Sequence, residues 1–509
     1  MSYAKRRFLC NFAPYFQFLG TKRIRLKNKV FSTAQGLPSF SVSVAPVMLL
    51  LGALAAVLVF LGPDAISEVS PYALLAASAA SVVFTALTVG LSRRGMFLGF
   101  FRSARQIMPA IPMLIFIAVV STTWMLSGVV PTLICYGLEL LTPATFLVVC
   151  CLVCALISVL TGSSWSTIAT IGVAFMGIGT VMGFHPGWVA GAIISGAYFG
   201  DKVSPLSDTT VVASSACGVD LFKHIRYLML TAIPSMGVAL VAFLVAGLCT
   251  ETSSSVATAE ILGALHATFN ISPVTLVIPA LTFTLIMFRV PTLLTLFLSG
   301  MFGLAGIFVF QGDLVELLGG ASPKMISHLL WSETTFQTGH AVFDDLVTTG
   351  GISGMLSTIF LITCAMIFGT AMIGTGMLTS ITSAIIWRLR NRISVVSSTV
   401  AGGLFLNCCT ADQYLSIIIG GNMFRNVYRR VGLEPRLLSR TLEDSVSVTS
   451  VLIPWNSCGV TQSTVLGVST LVYFPFCIFN YLSPLMSLLM ALTGFKIKQV
   501  VGRRVAAPA

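Results

Sequence analysis

Apolar runs of about 18 residues or more, long enough to cross hydrocarbon as helices, recur along the whole chain. SVAPVMLLLGALAAVLVFLG (43–62) is typical. It has no period-2 alternation, so a membrane β-barrel does not fit and an apolar helix does. Five polar stretches interrupt such runs: TGSSWST (161–167), GFHPG (183–187), GDKVSPLSD (200–208), NCCTADQYLS (407–416) and SRTLEDSVSVTSVLIPWNSCG (439–459). Non-helical backbone at membrane depth is tolerated only where protein buries it or where it lines a cavity. The pattern predicts an all-α polytopic membrane protein of about 12 transmembrane helices, some broken or re-entrant.

The interruptions come in pairs. In each half a Thr-containing break, TGSSW and then TADQY, precedes a second break in which carboxylates mix with hydroxyls. Paired interruptions in corresponding positions point to two related halves and to the binding site of a secondary transporter. The expected organisation is a basic arm over 1–40, a membrane half over 41–250, a second over 251–495 and a tail over 496–509.

Composition strengthens this reading. Only 9% of residues are charged and 56% are hydrophobic, with a mean hydropathy of +0.95; a soluble domain carries roughly 25% charged residues. The net charge of +12 does not call for a nucleic acid. Basic segments (the N-terminus, Arg93 to Arg105, Lys223 to Arg226, Arg388 to Arg392, Arg425 to Arg440, Lys496 to Arg504) alternate with acidic or neutral ones (Asp64 to Glu68, Glu139, Glu251 to Glu260, Asp313 to Glu316). The excess of Lys and Arg on cytoplasmic loops places the basic set, and both termini, inside a cell inner or plasma membrane. The twelve cysteines are scattered in apolar runs and read as small hydrophobes, with neither a disulfide framework nor a metal spacing.

The chemistry is concentrated in the breaks. An ionised carboxylate at the bilayer centre costs about 2.5–3.5 kcal/mol on insertion scales, so Asp201, Asp208, Glu443 and Asp444 need partners. Lys202 is one; a bound cation or proton would serve the rest. Carboxylates, Ser and Thr hydroxyls and freed carbonyls are ligands for a hard cation such as Na⁺. Desolvation favours the protonated form of a carboxylate, which lets it trade a proton for a cation near neutral pH. Against this, SPLSDTT and TLEDSVS also read as helix caps near the membrane surface, and Asp201 beside Lys202 reads equally as a structural ion pair. Asp412 and Gln413 interrupt an otherwise apolar stretch. Gly162, Ser163, Ser164 and Trp165 fit a hairpin tip or simple close packing. No GxxxxGK[ST] or HExxH occurs, and no histidine shares a break with GSSWS, so neither an ATP-driven pump nor an enzyme is expected and no cofactor is implied.

Six blocks carry a family resemblance: TTWMLSGVVPTLICYGLELLTP (122–143), LTGSSWSTIATIGVAFMGIG (160–179), GAYFGDKVSPLSDTT (196–210), VDLFKHIRYL (219–228), ADQYLSIIIGGNMF (411–424) and LSRTLEDSVSVTSVLIPWNSCG (438–459). In that order they resemble NhaC-type sodium/proton antiporters of the ion transporter superfamily, over about residues 40 to 495. The resemblance implies inverted repeats with re-entrant hairpins and exchange of Na⁺ or Li⁺ for H⁺. Some relatives instead couple Na⁺ or H⁺ to malate, lactate or amino acids, which is the alternative function. It also marks Asp201, Ser204, Asp208, Thr209, Asp412, Gln413, Glu443, Asp444, Trp455 and Asn456 as ion- or substrate-binding positions, with Asp208 and Glu443 holding the transported Na⁺. The partners implied are Na⁺, H⁺ and the lipid bilayer, with a homodimer left open. Val211-Val212 departs from the family pattern and leaves the ion or substrate preference open, and Gly420-Gly421 departs from it toward a looser hinge.

Overall fold

A computed structural model describes residues 36–497 apart from 63–64, 91–109, 251–254, 289, 319, 337–340 and 387–388. The expected basic arm up to residue 35, the Arg93–Arg105 loop and the tail from 498 lie outside the described residues. The chain is all-α: among the described residues the only extended pairing is an isolated bridge between Thr334 and Thr349. Among the described residues eight helices are long and apolar enough to cross a membrane, or up to eleven if three bent pairs each count as one crossing, as an all-α polytopic membrane protein requires.

The site is built from two stretches of similar plan. In the first, α1 (Pro143–Thr161) turns tightly into α2 (Ser164–Val181). After a short loop come α3 (Pro186–Val203), the break, α4 (Asp208–Cys217) and the long α5 (Leu221–Cys249). In the second, α6 (Arg392–Thr410) turns into α7 (Gln413–Val431). Then follow α8 (Pro435–Leu442), a π turn over Glu443–Ser447, the break, α9 (Ser457–Leu466) and α10 (Ile478–Thr493).

The landmarks recur in register. The opening caps Thr142 and Asn391, the left-handed residues Gly162 and Ala411, the next caps Ser163 and Asp412, and the left-handed Gly183 and Gly432 each lie 249 residues apart. So do the first-turn prolines Pro186 and Pro435, the caps Ser207 and Asn456, and the left-handed Gly218 and Gly467. Each break contains a proline at the same place, Pro205 and Pro454. Proline cannot donate to the preceding turn, so the helix stops there, and a Ser or Asn side chain restarts it by accepting a backbone N–H.

Small residues bring the helices of each unit together. A Cβ on Gly196 of α3 would sit 2.1 Å from the Cys151 carbonyl oxygen of α1, so the two backbones meet as small-residue packing in membranes allows. Outside the repeats, Gln311 secures two of the bends. Its amide donates to the Ser127 and Asn270 carbonyls at 3.2 and 3.1 Å and accepts the Asn270 N–H at 2.8 Å. Those backbone groups are freed where the helices bend and would otherwise stay unsatisfied in an apolar interior.

Candidate functional site

At each tip a threonine closes the turn. Thr161 Oγ1 accepts the Ser163 N–H at 3.2 Å and donates to the Ser163 carbonyl at 3.2 Å. Thr410 Oγ1 makes the same pair of contacts with Asp412, at 3.4 and 3.0 Å. Ser163 then caps its helix through the Ser166 N–H at 3.2 Å, and Asp412 through the Leu415 N–H at 2.8 Å. A Cβ on Gly162 would lie 2.6 Å from the Leu206 backbone, so the first tip presses directly on the first break. The second tip contacts its own break through the Ser457 N–H, which donates to the Ala411 carbonyl at 2.9 Å.

Each tip also reaches into the break beyond it. Ser164 Oγ donates to Asp201 Oδ2 at 2.9 Å, and Ser450 Oγ donates to Gln413 Oε1 at 3.4 Å; both pairs are 37 residues apart. Ser204 Oγ donates to the Val159 carbonyl at 2.7 Å, while Trp455 Nε1 donates to the equivalent Cys408 carbonyl at 2.9 Å. Thr209 bonds the cap Ser207 at 3.0 Å, and Asn456 caps α9 through the Cys458 N–H at 3.1 Å. Ser204, Trp455 and Asn456 thus use their polar atoms to hold the breaks in shape.

The carboxylates fall into distinct states. Asp201 is buried and bonded to Ser164. Asp208, at the first position of α4, is exposed, and Asp412 is half-buried. Both belong to a group around Tyr414, which is within electrostatic reach of Asp201, Asp208 and Asp412 together. Asp444 is locked. It accepts Lys202 Nζ, Thr231 Oγ1 at 3.0 Å, Ser483 Oγ at 3.0 Å and Ser487 Oγ, with Arg440 Nε 3.8 Å away. Lys202 bonds Asp444 and Ser483 rather than its neighbour Asp201, because consecutive helical residues do not face each other.

Glu443 is the exception among them. It is fully buried, and neither carboxyl oxygen has a hydrogen-bond partner. Ser447 lies beside it, yet the two miss hydrogen-bond geometry and Ser447 Oγ is unpaired as well. Asp201 is within electrostatic reach of both Glu443 and Asp208, the two residues expected to share the ion. π turns frequently mark functional positions, and this one carries Glu443. Among the described residues no cluster of three or more His, Cys, Asp or Glu side chains has the arrangement of a resident metal centre.

Sequence reasoning missed Thr231, Arg440, Ser483 and Ser487, which surround Asp444 from other elements. A signal existed for α10: Asn480, Ser483 and Ser487 recur at i, i+3 and i+7 in an apolar helix, one polar stripe facing protein.

The sequence model of the Na⁺/H⁺ antiporter family matches residues 21–218 and 196–495, which together span most of the chain. The chain belongs to the Na⁺/H⁺ antiporter family. Among curated relatives it is 36% identical to the Na⁺/H⁺ antiporter NhaC of Alkalihalophilus pseudofirmus over 75% of this chain and 81% of that protein. It is 34% identical to the arginine/ornithine antiporter ArcD of Halobacterium salinarum, over 90% and 93%. It is also 33% identical to the malate-2H⁺/Na⁺-lactate antiporter of Bacillus subtilis, over 76% and 81%. Similar chains thus carry names for different cargoes.

Proposed function

We propose that the protein is a secondary-active antiporter that exchanges Na⁺, or Li⁺, for H⁺ across a cell membrane by alternating access around the two breaks. The observation that carries the reading is Glu443, a buried carboxylate without a partner in electrostatic contact with Asp201. Burying an unpaired charge is costly, so such a group keeps a proton or takes a cation. Asp201 and Asp208, with the hydroxyls of Ser164 and Ser207, supply the hard oxygen donors a travelling Na⁺ prefers.

In this scheme Glu443 carries the proton. When it ionises, its charge strengthens the field on the Asp201–Asp208 pair and a cation binds. When it is protonated, the field weakens and the cation leaves. Competition between the two ions, with rearrangement of the breaks, is what couples their opposite movement. Asp444 takes no ion, because Lys202 already neutralises it. Both termini are assigned to the cytoplasm by the basic loops.

The test is the collapse of a pH gradient in inside-out vesicles on adding Na⁺, Li⁺ or K⁺. Wild type responds to Na⁺ or Li⁺ and not to K⁺, and Asp208→Asn, inserted at wild-type level, loses at least about tenfold in response, or roughly 1.4 kcal/mol in binding terms. A full response from that variant removes Asp208 from the path. No cation response from wild type removes the Na⁺/H⁺ reading.

A further inference from the structure

Parts of three basic segments of the sequence meet around Tyr227 of α5. The guanidinium carbons of Arg436 and Arg440, both on α8, lie 4.7 and 4.6 Å from the centre of the Tyr227 ring. The Tyr227 hydroxyl donates to the Lys496 carbonyl at 3.2 Å, just past the end of α10. Lys223 precedes Tyr227 by one helical turn on the same face, with Arg226 beside it. Lys223, Arg226 and Lys496 are exposed, and Arg436 is half-buried.

These cations are held in place but little neutralised. Among the described residues, Arg436 alone of the five has a carboxylate in hydrogen-bond reach: its Nε donates to Glu434. Arg440 is fully buried, its Nε and one terminal nitrogen have no hydrogen-bond partner, and Asp444 stays 3.8 Å away. Asp220 is occupied in capping α5, where it accepts the Lys223 N–H at 3.1 Å. Cations that only set topology need to be present, not fixed. Here a ring positions two guanidinium groups and a carbonyl positions the ring. The terminal nitrogens of Arg436 are left as a fork that suits two oxygens of a phosphate.

The surroundings indicate what carries that phosphate. Arg226 stands in a row of exposed apolar residues on one face of α5, Phe222, Met229 and Ile233, spaced by three or four positions. Further along that face Gly237 is exposed, and a Cβ built there meets nothing within 4 Å. α5 packs along α10, whose exposed Leu489 and Leu492 lead up to Lys496. Long basic side chains lay their stems along apolar surface and carry their charge to the headgroup level, and basic clusters at the ends of membrane helices recognise anionic headgroups.

We propose that this surface binds an anionic glycerophospholipid. Lys223, Arg226, Arg436 and Lys496 surround its phosphate, and an acyl chain lies along the 222–237 face of α5. The site stands independently of which ions the protein exchanges.

The test is titration of the purified full-length protein, in neutral detergent, with a fluorescent phosphatidylglycerol. Unlabelled phosphatidylglycerol, phosphatidylcholine and inorganic phosphate compete for the probe. Phosphatidylglycerol should displace it at about a tenth of the concentration that phosphatidylcholine needs, and inorganic phosphate should not displace it at that concentration. Lys223→Gln with Arg226→Gln should weaken binding about tenfold. Arg390→Gln with Arg429→Gln removes equal charge from exposed positions on α7 and the loop before α6, and should stay within about twofold of wild type. The proposal is overturned if wild type does not prefer phosphatidylglycerol to phosphatidylcholine. It is equally overturned if the two double variants weaken binding alike, which would make the attraction a diffuse one. Displacement by inorganic phosphate as strong as by phosphatidylglycerol also overturns it, since the ligand would then be a free anion.

Discussion

The two repeats share a backbone and share almost none of their charge. Tip for tip and break for break, caps, left-handed turns and prolines coincide. Yet Asp201 is matched by Ser450, Lys202 by Val451, Asp208 by Ser457, Asp412 by Ser163, Glu443 by Ile194 and Asp444 by Ser195. Access differs too: Pro205 and Asp208 are exposed at the first break, whereas Pro454 is half-buried and Ser457 buried at the second. Backbone hydrogen bonding dictates the duplicated features, since any broken helix in an apolar medium must be capped and satisfied. Apart from Asp412, which caps α7 through the Leu415 N–H, the carboxylates are free of that demand. Asp444 is spent on pairing with Lys202, and ion binding is the role proposed for Asp201, Asp208 and Glu443.

The widest gap between the units is at the tips. Gly162 has φ +67° and no room for a Cβ against Leu206, while Ala411 carries its Cβ at φ 53°. Gly162→Ala should drive the first tip off its break and lower exchange at least about a hundredfold, or roughly 2.7 kcal/mol, read as Na⁺-induced pH-gradient collapse per inserted molecule. Near-normal exchange would mean that tip and break need not touch.

The ion pair between the units should follow next. Removing one partner of a buried pair costs about 3–5 kcal/mol, whereas replacing both is often close to neutral. Lys202→Met should lower the thermal midpoint of the purified protein steeply, and Lys202→Met with Asp444→Asn should recover most of the loss. If the double variant is no more stable than the single one, Asp444 has a role beyond holding Lys202. The smallest effect is expected at the second tip. A left-handed alanine costs about 1–2 kcal/mol, but glycine gives back part of that as unfolded-state entropy and gives up a methyl buried in the core, worth about 0.8 kcal/mol, so Ala411→Gly should change stability by less than about 1 kcal/mol with exchange intact. A clear loss of stability there would show that the alanine methyl packs against something the tip needs.

The sequence made the helical class and all four site-forming breaks legible, because lipid tolerates polar interruptions only where protein or water receives them. It also showed that the halves are related, but with the wrong partners. Glu443 and Asp444 are carboxylates in the second break's sequence neighbourhood, yet they lie about two helical turns before the residues equivalent to Asp201 and Lys202. Composition reveals that carboxylates are present; only the caps and prolines fix the register. The fate of Lys202 was equally hidden, since its partner lies 242 residues away.

In the proposed exchange Glu443 alone among the buried carboxylates carries the proton. The most direct test is Na⁺ affinity across pH, measured with ²²Na⁺ on the purified wild type and on Glu443→Gln. Ionisation of Glu443 strengthens cation binding, so wild-type affinity should rise as pH rises, while Glu443→Gln should bind Na⁺ more weakly and with no dependence on pH. A Glu443→Gln variant that keeps the wild-type pH dependence would contradict the account and move the proton to Asp201 or Asp208.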